Sequence, residues 1–150
     1  MTKENSVNWR LLSYSVDGGK PRPGLLVDGR VVDLGRGTTV DAASTMDVLD
    51  DWVGIRPTLD ALAAEFPADA PAVEDVTLHA PVPRPSAIFC TVSNYSDHVA
   101  EMSAKKLVDK STTWGPYMFL KTPHAVADPD TEVFPPVNSN ALDWEIELGV

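Results

Sequence analysis

Ile88-Phe89-Cys90-Thr91-Val92 is an apolar run that gives way to Ser93-Asn94-Tyr95-Ser96-Asp97-His98-Val99-Ala100-Glu101. Continuous rather than alternating apolar character predicts a buried strand. The polar residues after it turn the chain, and Ser96 or Asp97 is placed to cap a helix from about His98 to Lys106. Residues three apart share a helical face, so His98 and Glu101 stand together while Val99, Met102 and Leu107 are expected to face inward. Strand, tight turn and short helix is a rigid mount for a side chain with chemistry to do.

Two readings of the His98 and Glu101 pair remain open at this level. A solvated pair is the common fate of such spacing and contributes little to stability. The alternative is an imidazole oriented by a carboxylate, which sets the tautomer and makes a base for activating water. The same ambiguity holds further on, where Asp143-Trp144-Glu145-Ile146-Glu147-Leu148 alternates acids with apolar residues. As a strand it turns Trp144, Ile146, Leu148 and Val150 to a core and presents Asp143, Glu145 and Glu147 on the other face. That face is either in water or around a cation, and an oxygen-only donor set suits Mg²⁺ or Mn²⁺ rather than zinc.

Outward from these segments the chain reads as scaffold. Trp9 to Val16 is rich in strand formers and runs into Asp17-Gly18-Gly19, a turn signal. Leu25-Leu26-Val27 and Arg30-Val31-Val32-Asp33-Leu34 flank Asp28-Gly29, the pair that favours a type I′ hairpin because both positions tolerate positive φ. Ser44 with Asp47 resembles a capping pair, and Met46, Leu49, Trp52 and Val53 follow at helical spacing. A second helix is predicted after Pro57, capped by Thr58, with Leu59, Leu62, Ala63 and Phe66 on its apolar face. Prolines at 67, 71, 81, 83 and 85 then mark a connector, in which His79 reads as a solvated residue. Tyr117 to Leu120 is strand-like and closed by Lys121, Lys110 to Gly115 reads as a loop, and Asp128-Pro129-Asp130 reads as a turn.

Lys and Arg number 12 against 22 Asp and Glu, for a formal charge of -10. That balance disfavours nucleic acid and anionic membrane surfaces as partners, and much of it serves solubility. Cys90 is the single cysteine and excludes an internal disulfide. With no signal-peptide pattern at the N-terminus and no run long enough to span a bilayer, the expectation is a cytoplasmic protein.

Four segments in order, Ala80-Pro81-Val82-Pro83-Arg84-Pro85-Ser86-Ala87-Ile88-Phe89-Cys90, Asn94 to Glu101, Phe119-Leu120-Lys121-Thr122-Pro123 and Asp143 to Leu148, resemble the fumarylacetoacetate hydrolase family. The resemblance implies an α+β architecture: a small N-terminal α/β domain over 1–79, then over 80–150 the first part of a mixed β-roll catalytic domain. It implies a metal-dependent hydrolase cleaving a C-C bond in a 2-oxo or 1,3-dicarbonyl acid, or an isomerase, decarboxylase or lyase acting on a related dicarboxylate. His98 and Glu101 would be catalytic, Asn94, Tyr95 and Lys121 substrate-binding, and Glu145 and Glu147 ligands of Mg²⁺ or Mn²⁺. Residues Ser103 to Gly115 would form a lid, and the full-length enzyme would be a homodimer.

Val92-Ser93 stands where the family usually has a glycine before Asn-Tyr. A further metal-binding Asp and a catalytic Lys of the family lie downstream of the paired glutamates, beyond Val150. The expectation is therefore a catalytic domain represented only in part, binding metal weakly by itself; a non-catalytic fragment or split half is the reading from a different class.

Overall fold

The computed structural model describes residues 8–35, 39–92, 94–104, 117–142 and 146–149. Strands β1 (Trp9–Ser15), β2 (Arg22–Val27), β3 (Arg30–Asp33) and β4 (Thr77–His79) form an antiparallel sheet in the order β3-β2-β1-β4. The Asp28-Gly29 turn joins β2 to β3 with φ of 48° and 78°, as the hairpin reading requires. Gly24, in the middle of β2, gives room to a neighbour: a Cβ there would lie 2.8 Å from the Tyr14 ring.

Helices α1 (Thr45–Asp50) and α2 (Trp52–Ala64) cover one face of this sheet. Leu25, Val27, Val32, Leu34, Val48, Leu59 and Ala63 are buried between them, with Trp9, Trp52 and Phe66 at the margin. Leu12, Tyr14 and Val31 are buried on the opposite face, against Val73 and Val76. β1 is thus covered on both sides, which is why its later residues are all buried.

The Ser44 capping box is present in full: the Ser44 hydroxyl accepts from the Asp47 amide and the Asp47 carboxylate accepts from the Ser44 amide at 2.8 Å. The helix break, however, falls at Asp51, and Pro57 lies inside α2 rather than ahead of it. Thr58 therefore caps nothing. The Asp51 carbonyl already accepts the Ile55 amide, so the helix is under way before the proline arrives. The inward residues of α1 are Thr45 and Val48, while Val53 is 87% exposed.

The proline-punctuated stretch is more structured than its composition suggests. Within it β4 completes the sheet by pairing with β1, placing His79 opposite Ser13. Beyond it, β5 (Ile88–Thr91) and β6 (Met118–Lys121) pair antiparallel as a separate two-stranded ladder, with Ile88 opposite Lys121 and Thr91 opposite Met118. Helix α3 (Ser96–Ala104) follows β5. The molecule is α+β, with small sheets and few helices.

Two expectations about this second region are corrected. β5 is not buried: Phe89 is 66% exposed, and Leu120 beside it on β6 is 65% exposed. Directly opposite residues share a face, so Phe89, Thr91, Leu120 and Met118 form a side with nothing packed over it among the described residues. Likewise, Ile146 to Gly149 form no strand, and Ile146 and Leu148 are exposed rather than in a core. A strand is made by its ladder bonds, and these residues pair with no strand among those described.

Candidate active site

The apolar ladder and the turn deliver the His-Glu pair as the sequence suggests, but onto an open surface. Helix α3 begins at Ser96, two residues before the expected start, and its first turn is closed by the Val99 amide donating to the Tyr95 carbonyl at 3.0 Å. His98 and Glu101 are both exposed on it, at the three-residue spacing that shares a face, and Val99 is half-buried. Asn94 is exposed just ahead of the helix. The expected inward roles of Met102 and Leu107 and most of the expected lid, 105–115, lie outside the described residues.

Tyr95 does more than line this surface. Its hydroxyl accepts the Leu148 amide at 3.2 Å, across 53 positions of sequence. This bond brings the segment containing Glu147 to the start of α3, so the two stretches singled out from sequence do meet. Glu147 is exposed, and Glu145, with Asp143 and Trp144, lies outside the described residues.

Lys121 occupies the last position of β6, with its ammonium 5.7 Å from the centre of the Phe119 ring. Its ladder partner is Ile88, whereas α3 follows the other end of β5. At about 3.3 Å per residue this sets its backbone about 10 Å along the ladder from Thr91, a separation that a long side chain spans only in part.

No group of three or more His, Cys, Asp or Glu side chains assembles for a metal among the described residues. Of the expected ligand pair only Glu147 falls among them. Its carboxylate is the hard oxygen donor that a Mg²⁺-like ion takes, so its chemistry fits such a cation, while the geometry of a full shell is outside what the described residues show.

Sequence reasoning missed two polar networks. In the first, the Tyr14 hydroxyl donates to Asp33 Oδ2 at 2.9 Å and accepts from Arg22 Nε at 3.1 Å, while the Arg22 guanidinium lies over the Tyr14 ring. Burial holds the Tyr14 phenol above its ordinary value, and the bond to Tyr14 holds the Arg22 guanidinium firmly protonated. These three residues line a cavity of about 710 Å³ whose other walls include Pro67 and Pro71. None of the expected catalytic residues borders it.

The second network overturns the reading of His79 as solvated. Its side chain is 17% exposed and both ring nitrogens are engaged, Nε2 at 2.8 Å from Ser15 Oγ and Nδ1 at 2.9 Å from Asp128 Oδ2. Asp128 also accepts the Ala80 amide at 2.8 Å. That backbone bond first, and His79 second, hold the Asp128 carboxyl below the ordinary carboxylate value. No local spacing signals this contact, because its members stand 64 and 49 positions apart.

Residues 87–150 match the family model for the C-terminal region of fumarylacetoacetate (FAA) hydrolase. Over that stretch the chain is similar to members of that family. The family segment takes in β5, α3, β6 and the Glu147 segment. Among similar curated proteins, fumarylacetoacetate hydrolase domain-containing protein 2 of Pongo abelii is 40% identical over 60% of this chain and 26% of its own length. The mitochondrial oxaloacetate tautomerase of Rattus norvegicus is 34% identical over 83% of this chain and 37% of its own length. A 2,4-didehydro-3-deoxy-L-rhamnonate hydrolase of a Sphingomonas species is 32% identical over 88% of this chain and 40% of its own length. The chain thus spans between a quarter and two fifths of the length of these relatives. No solved structure matches it. No described helix is long and apolar enough to cross a membrane.

Proposed function

We propose that the chain carries the base, and part of the metal-binding face, of an enzyme that handles the enolate of a 2-oxo or 1,3-dicarbonyl acid. The single observation behind this reading is that the stretch matching the FAA hydrolase model contains His98, Glu101, Glu145 and Glu147 together. Glu145 and Glu147 are assigned to a divalent cation, Mg²⁺ or Mn²⁺, which when bound supplies Lewis-acid stabilisation of charge developing on the substrate oxygens. Asn94 and Lys121 offer donors to a substrate carboxylate, Lys121 as a flexible point charge.

In the hydrolytic form His98, oriented by Glu101, takes a proton from water as the water oxygen bonds to a carbonyl carbon. The adjacent C-C bond then breaks, its electron pair passes to the departing enolate, and a proton returned to that carbon completes the ketone. A second form is keto-enol tautomerisation, in which the same base moves a proton between carbon and oxygen and no water is consumed. The names of the similar proteins favour carrying both, since one is a tautomerase and another a hydrolase. A homodimer and a cytoplasmic setting accompany this proposal.

The test is a substrate panel with Mn²⁺ present: decay of the oxaloacetate enol absorbance against release of the two acid fragments of an acylpyruvate. His98→Gln is expected to lower the observed rate about 100-fold or more, the usual worth of a positioned base. Fragment release with ¹⁸O from labelled water identifies the hydrolase, and enol decay without it the tautomerase. If His98→Gln left either rate unchanged, the assignment of the base would be wrong.

A further inference from the structure

Ser15, His79 and Asp128 are linked in the order of an acyl-transfer triad, hydroxyl to imidazole to carboxylate. The surroundings argue against that chemistry. Ser15 is 3% exposed and belongs to a strand paired on both sides, and it borders neither described cavity. A nucleophile that no carbonyl reaches is not a nucleophile.

What the array does do, together with the bond from the Ala80 amide to Asp128, is join parts of the chain with no further side-chain connection described between them. Ser15 and His79 sit on adjacent strands of the N-terminal sheet, on one face, because His79 is opposite Ser13 and Ser15 is two residues along. Asp128 comes from the segment after β6. Thr131 closes a turn beside it, its amide and hydroxyl both donating to the Asp128 carbonyl, at 3.3 and 2.7 Å. From there to residue 142 the chain is exposed throughout, and its bonds to other described residues are short and local, such as the Ser139 amide to the Pro136 carbonyl. The next described long-range bond is the one from the Leu148 amide to the Tyr95 hydroxyl. Among its described residues, the arm that carries Glu147 is therefore held at two points, Asp128 on the sheet and Leu148 on Tyr95.

We propose that His79 is a positioning residue: with Asp128 it latches the carboxylate-bearing arm to the N-terminal sheet, and Tyr95 seats the far end of that arm. An ionised carboxylate only accepts, so His79 Nδ1 donates to Asp128, and in the neutral ring Nε2 accepts from the Ser15 hydroxyl. Pinning one end of an arm with no other long-range bond among its described residues reduces the volume its other end explores, so the bond at Leu148 forms more often. The consequence for catalysis rests on the reading above, in which Glu147 binds the cation; the mechanical claim does not.

The two are separable in one set of experiments on the 150-residue chain. Millisecond amide exchange is measured at Ala80, Thr131 and Leu148, with Leu25 and Val32 as core controls, in the parent, His79→Phe, Asp128→Ala and Asp128→Asn. The ¹⁵N shifts of the His79 ring report the tautomer. His79→Phe and Asp128→Ala are expected to speed exchange at Thr131 and Leu148 about tenfold, the scale of a lost charge-assisted bond, with the core controls unchanged. Asp128→Asn is expected to restore slow exchange at Leu148 and to move the His79 proton from Nδ1 to Nε2, since the amide group then donates to Nδ1.

Unchanged exchange at Leu148 in both disruptive variants overturns the positioning claim, even if Ala80 and Thr131 speed up. An equal rise at Leu25 and Val32 overturns it too, because it reports loss of the sheet. Mn²⁺ titration of the same four proteins adds the functional arm, with affinity expected to fall several-fold in His79→Phe. Absence of Mn²⁺ binding in the parent would refute the cation reading and leave the exchange result to decide the latch.

Discussion

The N-terminal sheet and the β5-β6 ladder are both antiparallel β-structure, and they differ in what lies over them. In the first, Leu25, Val27, Val48 and Leu59 are at 0% exposure between sheet and helices. In the second, Phe89, Leu120 and Met118 stand more than half exposed on a face with no described cover. The ladder strands are the more apolar of the two, so the contrast shows that apolar residues alone do not make a core. A second layer does, and its presence separates structure that is stabilised by burial from structure held by ladder bonds and local turns.

The sharpest way to break this comparison is to delete the same kind of side chain in each region. Leu25→Ala removes a fully buried side chain from a packed cluster and is expected to cost about 2 to 5 kcal/mol. Leu120→Ala removes a side chain that is already mostly in water, and is expected to cost about 0.5 kcal/mol or less. Urea titration followed by tryptophan fluorescence, with Trp9 and Trp52 against the core, reads the first directly. Equal losses for the two substitutions would mean that the ladder is covered in solution.

A smaller effect sharpens the local half of the argument. Ser44→Ala removes the hydroxyl that accepts the Asp47 amide and is expected to cost about 1 kcal/mol, seen as a lower urea midpoint with unchanged slope. The gentlest probe is acid. Asp128 is held below the ordinary carboxylate value of 3.8 by the Ala80 amide and His79, so its contribution is complete above that pH and is lost as pH falls through the depressed value. The protection factor of the Thr131 amide, its rate relative to the unstructured rate at the same pH, is therefore expected to fall below about pH 4 while those of Leu25 and Val32 hold. An unchanged Thr131 protection factor down to about pH 2 would show that the Asp128 carboxylate does not hold that turn.

These contrasts match what was legible in the residues. The Asp28-Gly29 hairpin and the Ser44 capping box could be read because each is decided within a few positions, by φ preference in one case and by a hydroxyl and a carboxylate within reach of free amides in the other. The family segment could be read because its motifs recur in fixed order, and with it the mounting of His98 and Glu101 on a helix after a strand. Pro57 does not mark the start of α2, because a proline's disruption depends on where the helix already stands, which Asp51 decides. The apolar run of β5 does not imply burial, because burial is a property of neighbours, not of the strand's own residues.

The sequence by itself determined the hairpin, the capping box, the helix bearing His98 and Glu101, the acidic balance and the family of the segment from Ala87 onward. Tertiary structure alone decided which polar groups became partners: Trp9 with Asp60, Tyr14 with Asp33, His79 with Ser15 and Asp128, and Tyr95 with Leu148. The physical reason is the range of each interaction. Turn and cap preferences are settled by the torsions of a few adjacent residues, whereas a hydrogen bond across about 50 positions exists only once the sheet and the segments laid against it have closed the chain between them.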